Sequence, residues 1–230
     1  MISKYSGKLF SVLGDSISTL EGYNPPEYAV FYNWHNKCIS GVFAPSDTWW
    51  GRVIDALGGQ LLVNNSYSGS LVCKHPQCEI ESYGCSDDRT GALGYNGTSP
   101  DVIMILMGLN DWGWGMKICS TGKEKGLDVF SEAYGIMLKK LRKNYPEAEI
   151  WCITLPIGRD VQNGECRRLS HGVDIRSYCD VIIACGKETE CKIIDINTAG
   201  SYDTFDGNHP TFEGMRTIAE SVLDVINTFN

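Results

Sequence analysis

Several short polar segments carry the residue types that nucleophilic catalysis needs. Gly14-Asp15-Ser16-Ile17-Ser18 presents a hydroxyl among small residues, and Asn65-Ser66-Tyr67-Ser68-Gly69-Ser70 presents a glycine amide. Gly108-Leu109-Asn110-Asp111 adds a carboxamide. Asp206-Gly207-Asn208-His209-Pro210 places a carboxylate three residues ahead of an imidazole. A serine hydroxyl is inert at neutral pH unless a base removes its proton, and histidine titrates in the range that suits that base. Ser16 is therefore the candidate nucleophile and His209 the candidate base. Asp206 can accept the other ring N–H and fix the tautomer. The backbone N–H groups of Ser16 and Gly69 and the side-chain amide of Asn110 are candidate donors to a tetrahedral oxyanion. Taken singly, each segment reads as a turn or a helix cap. Together they are the inventory of an ester-cleaving serine hydrolase.

The elements that must position these residues are legible as a rhythm of apolar runs and helical patterns. Strands are expected at 9–13, 61–63, 102–107, 150–155 and 192–196, apolar on both faces as in a covered parallel sheet. Phe130, Ala133, Tyr134, Met137, Leu138 and Leu141 share one helix face, ended by Asn144-Tyr145-Pro146. Met215, Ile218, Val222, Val225, Ile226 and Phe229 mark a C-terminal helix. Trp49, Trp50, Val53, Ile54 and Leu57 mark another, closed by Gly58-Gly59, and a further helix is expected over about 173–184. Strand and helix alternating five times predicts an α/β/α sandwich. Each polar segment directly follows a strand or leads into the last helix. That is the edge at which open α/β sheets bind ligands.

In these blocks the chain resembles the SGNH (GDSL) hydrolase superfamily. Gly14-Asp15-Ser16-Ile17 matches the first block, with Ile17 where leucine is usual; Gly69 fits the second, Gly108-Leu109-Asn110-Asp111 the third and Asp206-Gly207-Asn208-His209-Pro210 the last. The four blocks stand in the family's order over nearly the whole chain. The resemblance implies a flavodoxin-like sheet of five parallel strands in the order 2-1-3-4-5. It also implies acyl-ester hydrolysis through a Ser16 acyl-enzyme without a cofactor. The substrate class is left wide, since the superfamily includes lipases, thioesterases and carbohydrate deacetylases; the aromatic loops favour a small acyl group on a carbohydrate.

Composition bounds the rest. The 230 residues are 43% apolar and 21% charged, with no repeat, linker or charge block, so one domain over 1–230 is expected, with inserts at about 23–45 and 71–99. A net charge of −8 makes nucleic acid and anionic membranes poor partners. No apolar window is long enough for a membrane span, and the polar start of the chain predicts a cytoplasmic protein. Oligomeric state is not encoded in any motif. Ten cysteines fall short of a disulfide scaffold. Cys73, His75, Cys78 and Cys85 carry zinc-ligand types at a non-standard spacing, with packed thiols as the default reading and no metal expected. Residues 23–50 hold eight aromatics, Tyr23, Tyr28, Phe31, Tyr32, Trp34, Phe43, Trp49 and Trp50. Tyr32, Trp34, Trp112 and Trp114 fall in expected loops near the catalytic edge, where they are candidate substrate platforms or, equally, side chains that pack the long segment onto the domain. Arg159, after the fourth strand, is a candidate anion or carbonyl contact. Asp15 and Asp111 are expected to bind loop amides rather than act as bases. A catalytically silent carbohydrate-binding or scaffold module is the alternative, disfavoured because every catalytic residue type is present. A nucleotide-binding domain and an α/β-hydrolase are disfavoured by the absence of their Gly-rich loops and Gly-x-Ser-x-Gly elbow.

Overall fold

A computed structural model describes residues 3–76, 82–119 and 126–229. Five parallel strands form the central sheet: β1 (Leu9–Gly14), β2 (Gln60–Ser66), β3 (Val102–Leu106), β4 (Glu149–Ile153) and β5 (Lys192–Ile194). Their spatial order is β2-β1-β3-β4-β5, the expected one. Register is continuous across the middle of the sheet, with Val12 beside Met104 and Met104 beside Trp151. The order reverses at β1, so the ends of β1 and β3 open the crevice where a ligand site is expected.

The strands are apolar on both faces because both faces are covered. Leu13, Ile103, Ile105, Ile150 and Cys152 pack in one cluster with α5 (Phe130–Asn144) and α6 (Ile175–Glu188). Phe10, Val12, Met104, Trp151 and Ile153 pack in the other with α2 (Trp49–Leu57) and α7 (Phe212–Asn227). Residues alternate between the two clusters along β3 and β4, as a pleat of period two requires. Each fully buried aliphatic or aromatic side chain contributes about 1.5–3 kcal/mol to holding the layers together.

The helix ends follow local chemistry. Thr48 caps α2 through the Gly51 amide, Gly58 closes it in the left-handed region, and Thr211 caps α7 through Gly214. The described residues also include three shorter helices, α1 (Trp34–Ser40), α3 (Asp87–Gly91) and α4 (Leu109–Trp114), and three 3-10 turns at Ser16–Ser18, Pro45–Asp47 and Asn197–Ala199.

Two features depart from expectation. The segments after β4 and β5 are not simple loops: Ile157–Asp160 pairs in parallel with Ser201–Thr204 as a separate ribbon. Trp34, Trp112 and Trp114 lie on α1 and α4 rather than in loops. Among the described residues no helix is long and apolar enough to cross a membrane, and no disulfide is formed.

Candidate active site

The first block sits where β1 stops. Asp15 caps the 3-10 turn by accepting from the Ile17 amide at 3.1 Å, which places Ser16 at the turn's first residue. Gly14 has no room for a side chain, since a Cβ there would lie 2.5 Å from Ser18 and 2.7 Å from the Ser66 hydroxyl. The far end of the turn is anchored by the paired tryptophans of α2. Trp49 Nε1 donates to Ser18 Oγ at 3.1 Å and Trp50 Nε1 to the Ser18 carbonyl at 3.0 Å.

The last block is a loop held from several sides. Asp206 Oδ1 accepts the amides of Asn208 and His209 at 3.0 and 2.8 Å. Tyr202 donates its hydroxyl to the Asn208 carbonyl, and Tyr32 donates to that of Pro210, both at 2.8 Å. This brings His209 Nε2 to 2.9 Å from Ser16 Oγ, across 193 residues of sequence, and His209 Nδ1 to 2.7 Å from Asp206 Oδ2. An ionised carboxylate can only accept, so the neutral imidazole carries its proton on Nδ1 and leaves Nε2 to accept from the serine. Burial resists ionisation of Asp206, but the ring and backbone N–H groups of His209 outweigh it and hold the carboxyl below its usual value. The imidazole lies flat on Phe31, with ring centres 3.4 Å apart and planes 10° apart.

The candidate oxyanion donors are tied to one another. Gly69 adopts φ +79°, a conformation that favours glycine, in the turn after β2. Neither its N–H nor that of Ser16 has an acceptor among the described residues. Asn110 Nδ2 donates to the Ser70 carbonyl at 3.0 Å, which uses one of its two amide hydrogens and ties α4 to the Gly69 turn. Asp111 completes the tie: its carboxylate accepts the Val72 and Cys73 amides at 2.8 and 3.0 Å. Ser16, Asn110 and His209 share a cleft of about 210 Å³ with Leu109, Gly113, Trp114, Arg167 and Asn208.

Beneath the cleft lies a fully buried arginine that the sequence reading passed over. Arg89 donates to the Gly14 carbonyl (2.8 Å), the Asn65 side chain (2.6 Å) and carbonyl (2.9 Å), and the Ser70 hydroxyl (2.7 Å). It thereby joins the ends of β1 and β2 to the Gly69 turn. Burial lowers its pKa to about 10, which still leaves it charged at neutral pH. In sequence it follows two aspartates in an insert and reads as a solvated helix residue, so no signal announced it. Phe31 and Arg167 were likewise missed; their roles depend on long-range contacts that no spacing encodes.

Several expected contacts are corrected. Tyr32 and Trp112 are buried and cannot offer a face to a ligand; Trp112 donates Nε1 to the Val173 carbonyl at 2.9 Å instead. Trp34 is exposed but does not line the cleft, whereas Trp114, 49% exposed, does. Arg159 points elsewhere and pairs with Asp203, Nε to Oδ1 at 3.1 Å. Among the described residues no group of three His, Cys, Asp or Glu is arranged to hold a metal, and Cys78 lies outside them. Cys73 and Cys85 are both buried, as packed thiols are expected to be.

A model of the GDSL-like lipase/acylhydrolase family matches residues 8–226. The chain belongs to this family. Among solved structures, a protein assigned as a GDSL-like lipase from Bacteroides uniformis is 30% identical, with 96% of each chain covered and a TM-score of 0.75. One from Bacteroides ovatus is 26% identical over 97% of this chain and 99% of its own, also at 0.75. A family two carbohydrate esterase from Clostridium thermocellum shares the fold at 17% identity and a TM-score of 0.59, covering 98% of this chain and 65% of that one. A comparison with curated proteins finds no match. Family and neighbours together place the GDSL-like chain among acyl-ester hydrolases.

Proposed function

We propose that the protein is a serine esterase that cleaves short acyl esters through a covalent Ser16 acyl-enzyme. The observation that carries this reading is the unbroken line of hydrogen bonds from Ser16 Oγ through the His209 ring to Asp206. His209 Nε2 takes the serine proton as Oγ attacks the ester carbonyl. The oxyanion then forms within reach of the Ser16 and Gly69 amides and the second Asn110 hydrogen. His209 returns the proton to the leaving alcohol, which departs and leaves the acyl group on Ser16. Water, deprotonated by the same imidazole, attacks the acyl-enzyme and releases the acid. Asp206, held below the usual carboxylate range, stays ionised and keeps the ring oriented throughout.

The cleft supports a small acyl group. It is small, about 210 Å³, lined mostly by polar residues and walled by Trp114, whose half-exposed ring can stack on a sugar. O-acetyl groups on a carbohydrate are the substrate we put forward. Hydrolysis of p-nitrophenyl acetate, butyrate and octanoate by wild type and Ser16→Ala tests both parts. The expected result is acetate preferred over octanoate and turnover lost in the variant. Undiminished turnover by Ser16→Ala would overturn the mechanism, and an octanoate preference would overturn the acyl size.

A further inference from the structure

Arg167 forms part of the wall of the cleft that holds Ser16. Its backbone N–H bonds the Gly158 carbonyl at 2.9 Å, so it is anchored to the ribbon after β4. Its guanidinium stands 4.9 Å from the centre of the Trp112 ring, and Nη1 donates to Asn208 Oδ1. An aromatic face and a neutral amide thus fix the group without neutralising it. Nε and Nη2 have no protein acceptor among the described residues. Nη2 sits over Gly113, another residue of the cleft wall, 4.0 Å from where a Cβ would stand. No carboxylate among the described residues pairs with Arg167, whereas Arg159, Arg176 and Arg216 each have one. On a chain of net charge −8, an unneutralised cation in a concave wall is a feature built for an anion. A guanidinium fork matches the two oxygens of a carboxylate, and a neutral amide would have sufficed for a hydroxyl.

Resting on the Ser16 esterase reading, we propose that Arg167 binds a carboxylate on the substrate, so that esters bearing one close to the scissile bond are preferred. The carboxylate can belong to the alcohol part, as in an acylated sugar acid, or to the acyl part. Fixed by Trp112 and Asn208, the guanidinium loses little freedom when the anion arrives.

Matched ester pairs test this and separate the two sources. 4-Acetoxybenzoate against 4-acetoxybenzamide places the charge on the alcohol side. Monomethyl glutarate against methyl pentanoate places it on the acyl side. The readout is the charged-to-neutral ratio of kcat/KM in wild type, Arg167→Lys and Arg167→Gln, which cancels intrinsic reactivity. In one of the two pairs the ratio is expected to fall about tenfold or more in Arg167→Gln, chiefly through KM, and less in Arg167→Lys. The wild-type ratio is also expected to fall as salt is raised, because a partly exposed pair is screened. Ser16-dependent hydrolysis with ratios unchanged by either Arg167 substitution would overturn the carboxylate proposal alone. Hydrolysis that survives Ser16→Ala would overturn the esterase reading, and this proposal with it.

Discussion

Ser16 and His209 meet across nearly the full length of the chain, and the hydrogen bond between them has little to do with keeping the fold. Ser16→Ala and His209→Ala are therefore expected to leave urea unfolding nearly unchanged while kcat falls by about 10⁴-fold or more. Loss of folding in either variant would make these residues structural. Asp206→Asn removes the acceptor that sets the His209 tautomer. Because Asp206 is partly exposed, a loss on the order of 10²- to 10⁴-fold in kcat/KM is expected, and a loss under tenfold would show that the ring is oriented by other contacts. Phe31, flat against the imidazole, is a positioning residue. Phe31→Ala should lower kcat by a few-fold to about tenfold, as a ring contact of about 0.5–1.5 kcal/mol permits, with KM nearly unchanged. Asp15 carries a pH signature of its own. Burial raises its carboxyl to about 7, the Ile17 amide opposing only in part, whereas an unfolded aspartate titrates near 3.9. Between those values the native state keeps a proton that the unfolded chain has released. Its contribution to stability therefore falls as pH rises from about 4 to about 7 and levels off above. Urea midpoints at pH 5 and pH 8 check this: wild type should be less stable relative to Asp15→Asn at pH 8 than at pH 5, and a pH-independent difference would contradict it.

At the scale of elements, the site is a set of strand ends and turns braced against one another. Arg89 is the brace that serves most of them, holding the Gly14 and Asn65 carbonyls and the Ser70 hydroxyl at once. Arg89→Met leaves several buried acceptors without a donor, each worth about 1–3 kcal/mol. A loss of about 3 kcal/mol or more is expected in urea unfolding, together with a fall in kcat where the variant remains folded; a loss under 1 kcal/mol would contradict the bracing role. The blocks bearing Ser16, Gly69, Asn110, Asp206 and His209 were legible because a turn at a strand end is a local event with a local sequence. The braces were not. Arg89 and Phe31 act on residues far away in the chain, and Tyr32 and Trp112 look the same in sequence whether they face solvent or core. Hydrophobic density showed that the aromatics matter, but only packing decides which of them, Trp114, remains open to the cleft. The ribbon joining 157–160 to 201–204 was hidden for a similar reason: each strand is too short and too polar to show a period.

At the scale of the whole molecule, a doubly covered sheet carries the stability and its strand ends carry the proposed chemistry, so the two can be separated by substitution. Met104 lies in the central strand beside Val12 and Trp151. Met104→Ala is expected to cost about 2–5 kcal/mol in unfolding free energy with kcat/KM little changed well below the melting temperature. A selective loss of activity without loss of stability would contradict this division. The sandwich could be anticipated because five runs apolar on both faces call for a doubly covered sheet, and its strand order because the motif blocks resemble the SGNH superfamily, whereas the residues proposed to select a substrate sit where short elements cross. The central claim, a Ser16 nucleophile activated by His209, is tested most directly by a serine-directed fluorophosphonate with the adduct mapped by mass spectrometry. One adduct per chain, on Ser16, is predicted, absent in Ser16→Ala and formed far more slowly in His209→Ala. A folded wild-type protein that takes up no label, or takes it up on another residue, would contradict the account.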